Sequence, residues 1–212
     1  MSLISTYDMR VWMGIAEGDT KPNAKLGSIA KAVEDFVDSF TNRTLEAKRY
    51  LTDPNFSYYD GTGRPIMYLK QYPVSYVSSV NIDSNRDFGS GTLIASNDLF
   101  WYPNEGKLVS EGGYFISGRR NVLIDFTAGY APVVGNTHDM AVSTYPIPLD
   151  LKQTMIEMCV ESFKEGMTAV HSLQGQNVTE PKFIQMLSRN SFWANVLNKY
   201  KSFSSMFNVR EE

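Results

Sequence analysis

The sequence predicts an α+β fold: a helical bundle contributed by both ends of the chain, an inserted region of β-hairpin and small antiparallel sheet, and a C-terminal helical arm. Three observations predict it. Apolar residues recur at helical spacing from Ser28 to Phe40 and again from Leu149 to Lys164. Between them, from Phe56 to Thr127, the chain is dense in Tyr, Val, Ile, Ser, Thr and Gly and poor in Ala and Glu, the composition of strands joined by turns. A third helical periodicity follows from Thr179 to Tyr200.

Taken in order, Ser5 or Thr6 is placed to cap a helix from Tyr7 to about Ile15, with Tyr7, Val11 and Ile15 along one side and Met9, Trp12 and Met13 available for packing. Gly14 and Gly18 close it. The polar segment Glu17 to Lys25 reads as a loop around Pro22 and Asn23. From residue 28 to 40, Ile29, Val33, Phe36, Val37 and Phe40 oppose Lys31, Glu34, Asp35 and Asp38. Leu45 to Leu51 reads as another helical turn or two before Asp53-Pro54.

In the β region, Tyr58-Tyr59 leads into Asp60-Gly61-Thr62-Gly63, a hairpin signal from which Ile66 to Leu69 returns. Tyr72-Pro73-Val74 and Val77 to Ile82 alternate in polarity, and Asp83 to Gly91 has the composition of a mobile loop tip. Leu99 to Pro103 is a short aromatic piece and Gly106 to Val109 starts a strand. The most strand-like run is Asn121 to Thr127, with Leu123 and Asp125 on one face and Val122, Ile124 and Phe126 on the other. It stops at Ala128-Gly129.

After a polar loop the chain enters a helix through Pro146 and Pro148, with Leu151, Met155, Met158 and Cys159 on its apolar side. Gly166 to Gln176 is a weakly patterned connector. The last helix opens with Thr179 as cap and Pro181 in its first turn, then runs through Phe183, Met186, Leu187, Trp193, Val196, Leu197 and Tyr200, with Asn190-Ser191 as a point of interruption. It carries more apolar residues than a solitary surface helix needs, so it packs either on the core or on a partner protein. The expected organisation is a core over 1–165, with helices at 7–15, 28–40 and 149–164 and the β region at 56–127, and an arm over 166–212.

With 212 residues and 42% hydrophobic content the chain can bury a core. A formal net charge of −3 argues against holding nucleic acid by broad phosphate neutralisation. Cys159 is the single cysteine, which leaves no internal disulfide, and at its helical position it reads as a small buried hydrophobe. No basic region precedes an apolar run at the N-terminus, and no apolar span reaches the ~20 residues that cross a bilayer, so a cytosol-like compartment and no membrane partner are expected. The glycosylation-type triplets at Asn42, Asn55 and Asn177 are then chance matches.

Catalytic signals are weak. His138 and His171 have no metal-ligand spacing and read as solvated loop residues. No serine lies in a Gly-x-Ser-x-Gly turn, and no glycine loop ends in Lys-Ser or Lys-Thr. Asp60, Asp83, Asp87 and Asp98 are ordinary turn chemistry, so neither a metal nor a cofactor is expected. Arg119-Arg120, with Arg64, Lys70 and Arg86, is the one basic grouping that could touch DNA phosphates; a solvated turn or an inter-subunit salt bridge explains it more simply. The aromatics say more. Tyr58, Tyr59, Tyr68, Tyr72, Tyr76, Phe100, Trp101, Tyr102, Tyr114 and Phe115 are too many for one side of a small sheet to bury, and surplus Tyr and Trp is what interfaces use.

The order of these features resembles the head–tail connector proteins, also called head-completion or adaptor proteins, of long-tailed bacteriophages. The resemblance rests on the two N-terminal helices, Tyr58 to Gly63, Tyr68 to Val74, Val77 to Val80, Arg119 to Tyr130 and Ile147 to Gln153, and covers about Leu3 to Lys164. It implies a structural virion protein without catalysis: a dodecameric ring in the neck, assembled in the host cytoplasm, docked on the portal protein and offering its far side to a stopper or tail-joining protein. Double-stranded DNA would pass through its lumen without sequence-specific binding. Another neck or tail-completion protein is the alternative. The loop 131–145 and the segment after Gly166 depart from compact members. Since the C-terminal segment of the family commonly reaches the portal, the resemblance points to Pro181, Phe183, Met186, Leu187, Trp193, Leu197 and Tyr200 as a portal-docking arm.

Overall fold

The computed structural model of the protein describes residues 3–132, 145–165 and 179–202, the side chains of residues 90, 96 and 179–181 excepted. The fold is α+β, as predicted, and the chain divides into a helical unit and a β unit.

In the helical unit, α1 (Thr6–Met13) starts at Ser5, whose hydroxyl accepts the Asp8 amide, and ends at Gly14 in the left-handed conformation. Its apolar side is not where the spacing placed it. Met9 and Arg10 are buried, whereas Tyr7, Val11 and Trp12 are about half exposed or more. The polar anchors decide this: Arg10 donates to the carbonyls of Glu17 and Asp19, and Asp8 pairs with Lys152 at 2.8 Å.

The helix α2 (Asn23–Thr41) begins a turn and a half before the expected Ser28, because Leu26 is fully buried and extends the apolar stripe. Its Leu26, Ile29, Val33, Phe36 and Val37 form one side of a core. Against it packs α3 (Leu149–Lys164), whose Leu151, Met155, Met158 and Cys159 are wholly buried. The last periodic stretch is two helices, α4 (Thr179–Arg189) and α5 (Ser191–Lys199). Asn190 breaks them with extended backbone, its side-chain oxygen accepting the amides of Phe192 and Trp193.

Asp38, in the last turn of α2, accepts the Leu45 amide at 3.0 Å. Burial pushes its carboxyl up to about 6, outweighing the Leu45 amide and Lys31, with Asp35 and Glu34 adding to the rise. A carboxyl whose folded-state pKa exceeds its unfolded value binds its proton more tightly when folded. Its stabilising contribution is therefore full below about 4 and is lost as pH rises to about 6. Asp38→Asn, which keeps an acceptor for Leu45, is expected to raise stability at pH 7 by about 1–2 kcal/mol after discounting for partial exposure. Urea unfolding at pH 4, 5, 6 and 7 checks this, and the variant's stability should lose its dependence on pH across that window.

The β unit is organised around β7 (Gly118–Ala128), the strand legible in the sequence, with Val122, Ile124 and Phe126 fully buried on the predicted face. It pairs antiparallel with β1 (Lys48–Tyr50), β2 (Tyr58–Gly61) and β4 (Val74–Ile82). Residues 48–50 are thus a strand, not helical turns. Tyr50 stacks on Phe126 with ring centroids 5.1 Å apart, and Arg49 Nε donates to Asp125 Oδ1 at 2.9 Å.

A second antiparallel sheet has the order β3-β6-β5, from β3 (Ile66–Tyr68), β6 (Lys107–Ser110) and β5 (Leu99–Tyr102). The Asp60–Gly63 turn therefore does not close a hairpin. It carries the chain from one sheet to the other, β2 pairing with β7 and β3 with β6, since each finds its apolar partner downstream. Both sheets feed one core, in which Tyr50, Phe115, Val122, Phe126, Leu108 and Val80 have no measurable exposure. The loop after β4 is framed by Asp83, whose carboxylate accepts the amides of Asn85, Asp87 and Phe88 at 2.8–2.9 Å. These amides, Asn85 first, hold its carboxyl below the usual carboxylate range, burial opposing them.

Candidate assembly surface

Residues directly opposite one another in an antiparallel pair project from the same face of a sheet. The register of β3-β6-β5 therefore sets three rows. Met67, Leu108 and Trp101 form the inward row, with Leu108 wholly buried. Ile66, Val109 and Phe100 form one outward row, and Tyr68, Lys107 and Tyr102 the other. Phe100 and Tyr102 are about half exposed and Tyr68 63% exposed, with Lys107 Nζ 4.6 Å from the centre of the Tyr102 ring. An antiparallel sheet with one face on a core normally turns polar residues to water. This one turns aromatic and aliphatic groups instead.

Tyr76, Tyr114 and Ile116 add exposed apolar area in the same unit. Beside β4, a cleft of about 520 Å³ is lined by Tyr76, Val77, Leu93, Ile94, Leu99 and Trp101. In the helical unit Tyr7, Val11 and Trp12 form an exposed apolar group on α1. Composition singled out the β-unit aromatics as a group but not their facing. Tyr59 and Phe115 are buried, while Tyr58, Tyr72 and Trp101 are half-buried. Tyr59 belongs to the core, burial pushing its hydroxyl's pKa upward, and that oxygen accepts the Lys70 amide at 3.2 Å. Phe115 is held inside by amide–carbonyl bonds to Gly63 and Arg64. The α1 group was missed as an outward surface because helical spacing alone cannot say which stripe faces the core.

Of the five basic residues, the structure brings Lys70, Arg119 and Arg120 together around a pocket of about 460 Å³ that Pro54, Asn55, Tyr58, Tyr59 and Asp60 also line. Arg64 and Arg86 lie elsewhere: Arg64 bridges to Phe115, and Arg86 sits in the Asp83 loop with φ 66°. All five are exposed.

The C-terminal residues lie differently from the surface groups. Phe183, Met186, Leu187, Trp193, Val196 and Leu197 are buried in the helical unit. Phe183 packs on Phe36 with ring centroids 5.0 Å apart, Trp193 Nε1 donates to Glu157 at 2.7 Å, and the Tyr200 hydroxyl donates to Asp150 at 2.6 Å. The side chain of Pro181 lies outside the described residues. The apolar side chains of α4 and α5 that reach solvent are Ile184 and Phe192.

Among the described residues no group of three His, Cys, Asp or Glu is placed to hold a metal ion. His138 and His171 lie outside them. Cys159 is a buried free thiol, as its helical position suggested; burial pushes its pKa up, and the charge of Glu34 adds to this. No helix among the described residues is long and apolar enough to cross a membrane.

No protein-family model matches the chain, and no curated protein does. Among solved structures it is similar to a chain in the neck of an empty gene transfer agent particle computed with C6 symmetry, at 20% identity and TM-score 0.48, over 74% of this chain and 76% of that one. It is likewise similar to a chain of the native gene transfer agent virion, at 18% identity and TM-score 0.48 over the same shares, and to one in the native neck computed with C12 symmetry, at 18% identity and TM-score 0.39 over 68% and 76%.

Proposed function

We propose that the protein is a non-catalytic structural component of a phage-like virion neck: a head–tail connector whose copies form a ring between the portal and the tail. One observation carries this reading, the outward face of β3-β6-β5, where Ile66, Phe100, Tyr68 and Tyr102 stand in water on a sheet whose other face is packed. Such a face is stable in an assembly that covers it. The features that resemble the connector family, from Tyr58 to Val80 and from Arg119 to Gln153, supply the kind of assembly. In this reading the ring is dodecameric, docks on the portal protein, meets a stopper or tail-joining protein on its other side, and assembles in the host cytoplasm. A subunit with 23 acidic against 20 basic residues suits a lumen through which DNA slides without being gripped.

The portal-docking role proposed for the C-terminal arm falls to Ile184 and Phe192, because the other apolar side chains described there are committed to the helical unit. Co-purification of the full chain with the portal protein of the same particle, followed by electron-microscopy class averages, tests the reading. A ring stacked on the portal is the expected result; a stable monomer with no portal complex would overturn it in favour of a tail-side protein. Phe100→Ser and Tyr68→Ser are each expected to weaken ring assembly about tenfold while leaving the monomer folded. Sedimentation across a concentration series measures both.

A further inference from the structure

We infer that the pocket between β2 and the start of β7 is a carboxylate-binding site, built to seat an acidic side chain of a protein partner. Successive residues of a regular strand face opposite sides, so Arg119 and Arg120 should point apart. Here both line one pocket, together with Lys70. The cause is local. The β2–β7 register shifts between Tyr59 and Gly61, and Arg120 takes a left-handed φ of 50°, a conformation costly to any residue but glycine.

Several contacts hold that conformation. The Arg120 amide donates to Asp60 Oδ1 at 2.6 Å, Nη2 donates to the Pro54 carbonyl at 3.2 Å, and the guanidinium lies over the Tyr58 ring at 5.2 Å. Lys70 Nζ is held by the Asn55 carbonyl at 2.7 Å and lies 5.5 Å from the centre of the Tyr59 ring. The Arg119 side chain makes no hydrogen bond or ion pair among the described residues. Two cations are thus fixed and the third is left for a ligand. Strained backbone clusters at ligand-binding sites, and here it gathers like charges.

The chemistry favours a carboxylate. Three cations stand against the one carboxylate of Asp60, in a chain whose net charge is −3. A guanidinium fork beside an ammonium suits one planar carboxylate in a compact space. A DNA backbone needs cations in a row, and Arg64 and Arg86, which would extend one, do not line this pocket. The site is defined by the pocket alone, so failure to find a ring leaves it standing.

The test is side-chain NMR of the arginines in the full chain, titrated with hexaglutamate and, separately, with a 20-base-pair DNA duplex. Hexaglutamate is expected to shift the Arg119 and Arg120 signals. Arg119→Gln should weaken its binding about tenfold, and Arg64→Gln should leave it unchanged. Arg120→Gly should weaken binding without lowering the melting temperature, because glycine adopts φ 50° freely. Shifts with the duplex but not the peptide would overturn the proposal in favour of phosphate. Equal losses from Arg64→Gln and Arg119→Gln would overturn it in favour of diffuse charge, and a fall in melting temperature for Arg120→Gly would reduce that residue to a structural one.

Discussion

Phe183→Ala is expected to lower the unfolding free energy by about 3–5 kcal/mol, the cost of removing a large side chain from a packed interior. Phe183 is 2% exposed and its ring lies against Phe36 at 5.0 Å between centroids. The site cannot readily collapse. Asn190 ends α4 with extended backbone and caps α5, whose Trp193 is tied to Glu157 of α3, so α4 is not free to slide into the gap. At this chain length the loss corresponds to a fall in melting temperature of roughly 10 °C. Phe192→Ala, at a side chain 53% exposed, is expected to change stability by less than about 0.5 kcal/mol. Urea unfolding followed by far-ultraviolet circular dichroism measures both. A wild-type midpoint for Phe183→Ala would mean that α4 is not packed on the helical unit in solution, and Phe183 would return to the candidates for docking. The same packing makes deletion of the arm a poor test of docking, since deletion strips the ring that covers Phe36. Substitution of Ile184 and Phe192 is the cleaner experiment.

What the sequence makes legible here is what is decided locally. Leu149 to Lys164 forms a helix with the expected boundaries because its periodicity, its prolines and its length agree. The Asn121 to Thr127 strand is visible because β-branched and aromatic residues alternate with a packed face. Ser5 was one of two candidate caps, and the short polar side chain before a helical turn was enough to find it. The failures share a cause in long-range pairing. Residues 48–50 become a strand through Phe126 and Asp125, with Arg49 and Asp125 lying 76 residues apart. The Asp60–Gly63 signal is a real turn, but the partners of β2 and β3 lie some forty residues or more downstream, where no turn rule can see them. On α1 the apolar spacing at Tyr7 and Val11 is real too, and the side that faces inward is chosen by Arg10 and by Asp8 with Lys152. The assembly surface followed the same division. Composition identified a surplus of aromatics, but only the pairing of β3, β6 and β5 sorts Tyr68, Phe100 and Tyr102 outward from Trp101.

Gly61→Ala is expected to cost about 3 kcal/mol, at the upper end of what overpacking by one methyl group does, because the atoms it meets cannot turn away. A methyl group on Gly61 would lie 1.8 Å from the Ile116 carbonyl oxygen and 2.9 Å from Asn121 Oδ1. The first is backbone. The second belongs to a side chain 2% exposed that joins both neighbours, accepting the Gly61 amide at 2.9 Å and donating to the Ile116 carbonyl at 2.8 Å. To admit the methyl group, the end of β2 must leave β7, and both of these bonds, the first of them buried, break. Asp60 moves with it, releasing the Arg120 amide from its 2.6 Å contact and with it the left-handed turn that brings two arginines to one pocket. A single methyl group should therefore both destabilise the β unit and abolish the shift of the Arg119 signal by hexaglutamate. Gly63→Ala separates space from backbone strain. Gly63 has φ 69° but its nearest neighbour to a methyl group is Ser117 Cβ at 3.7 Å, so only the left-handed cost of about 1 kcal/mol is expected. Equal losses at the two glycines in urea unfolding would show that conformation, not space, sets the requirement at Gly61, and would break the link between its packing and the pocket.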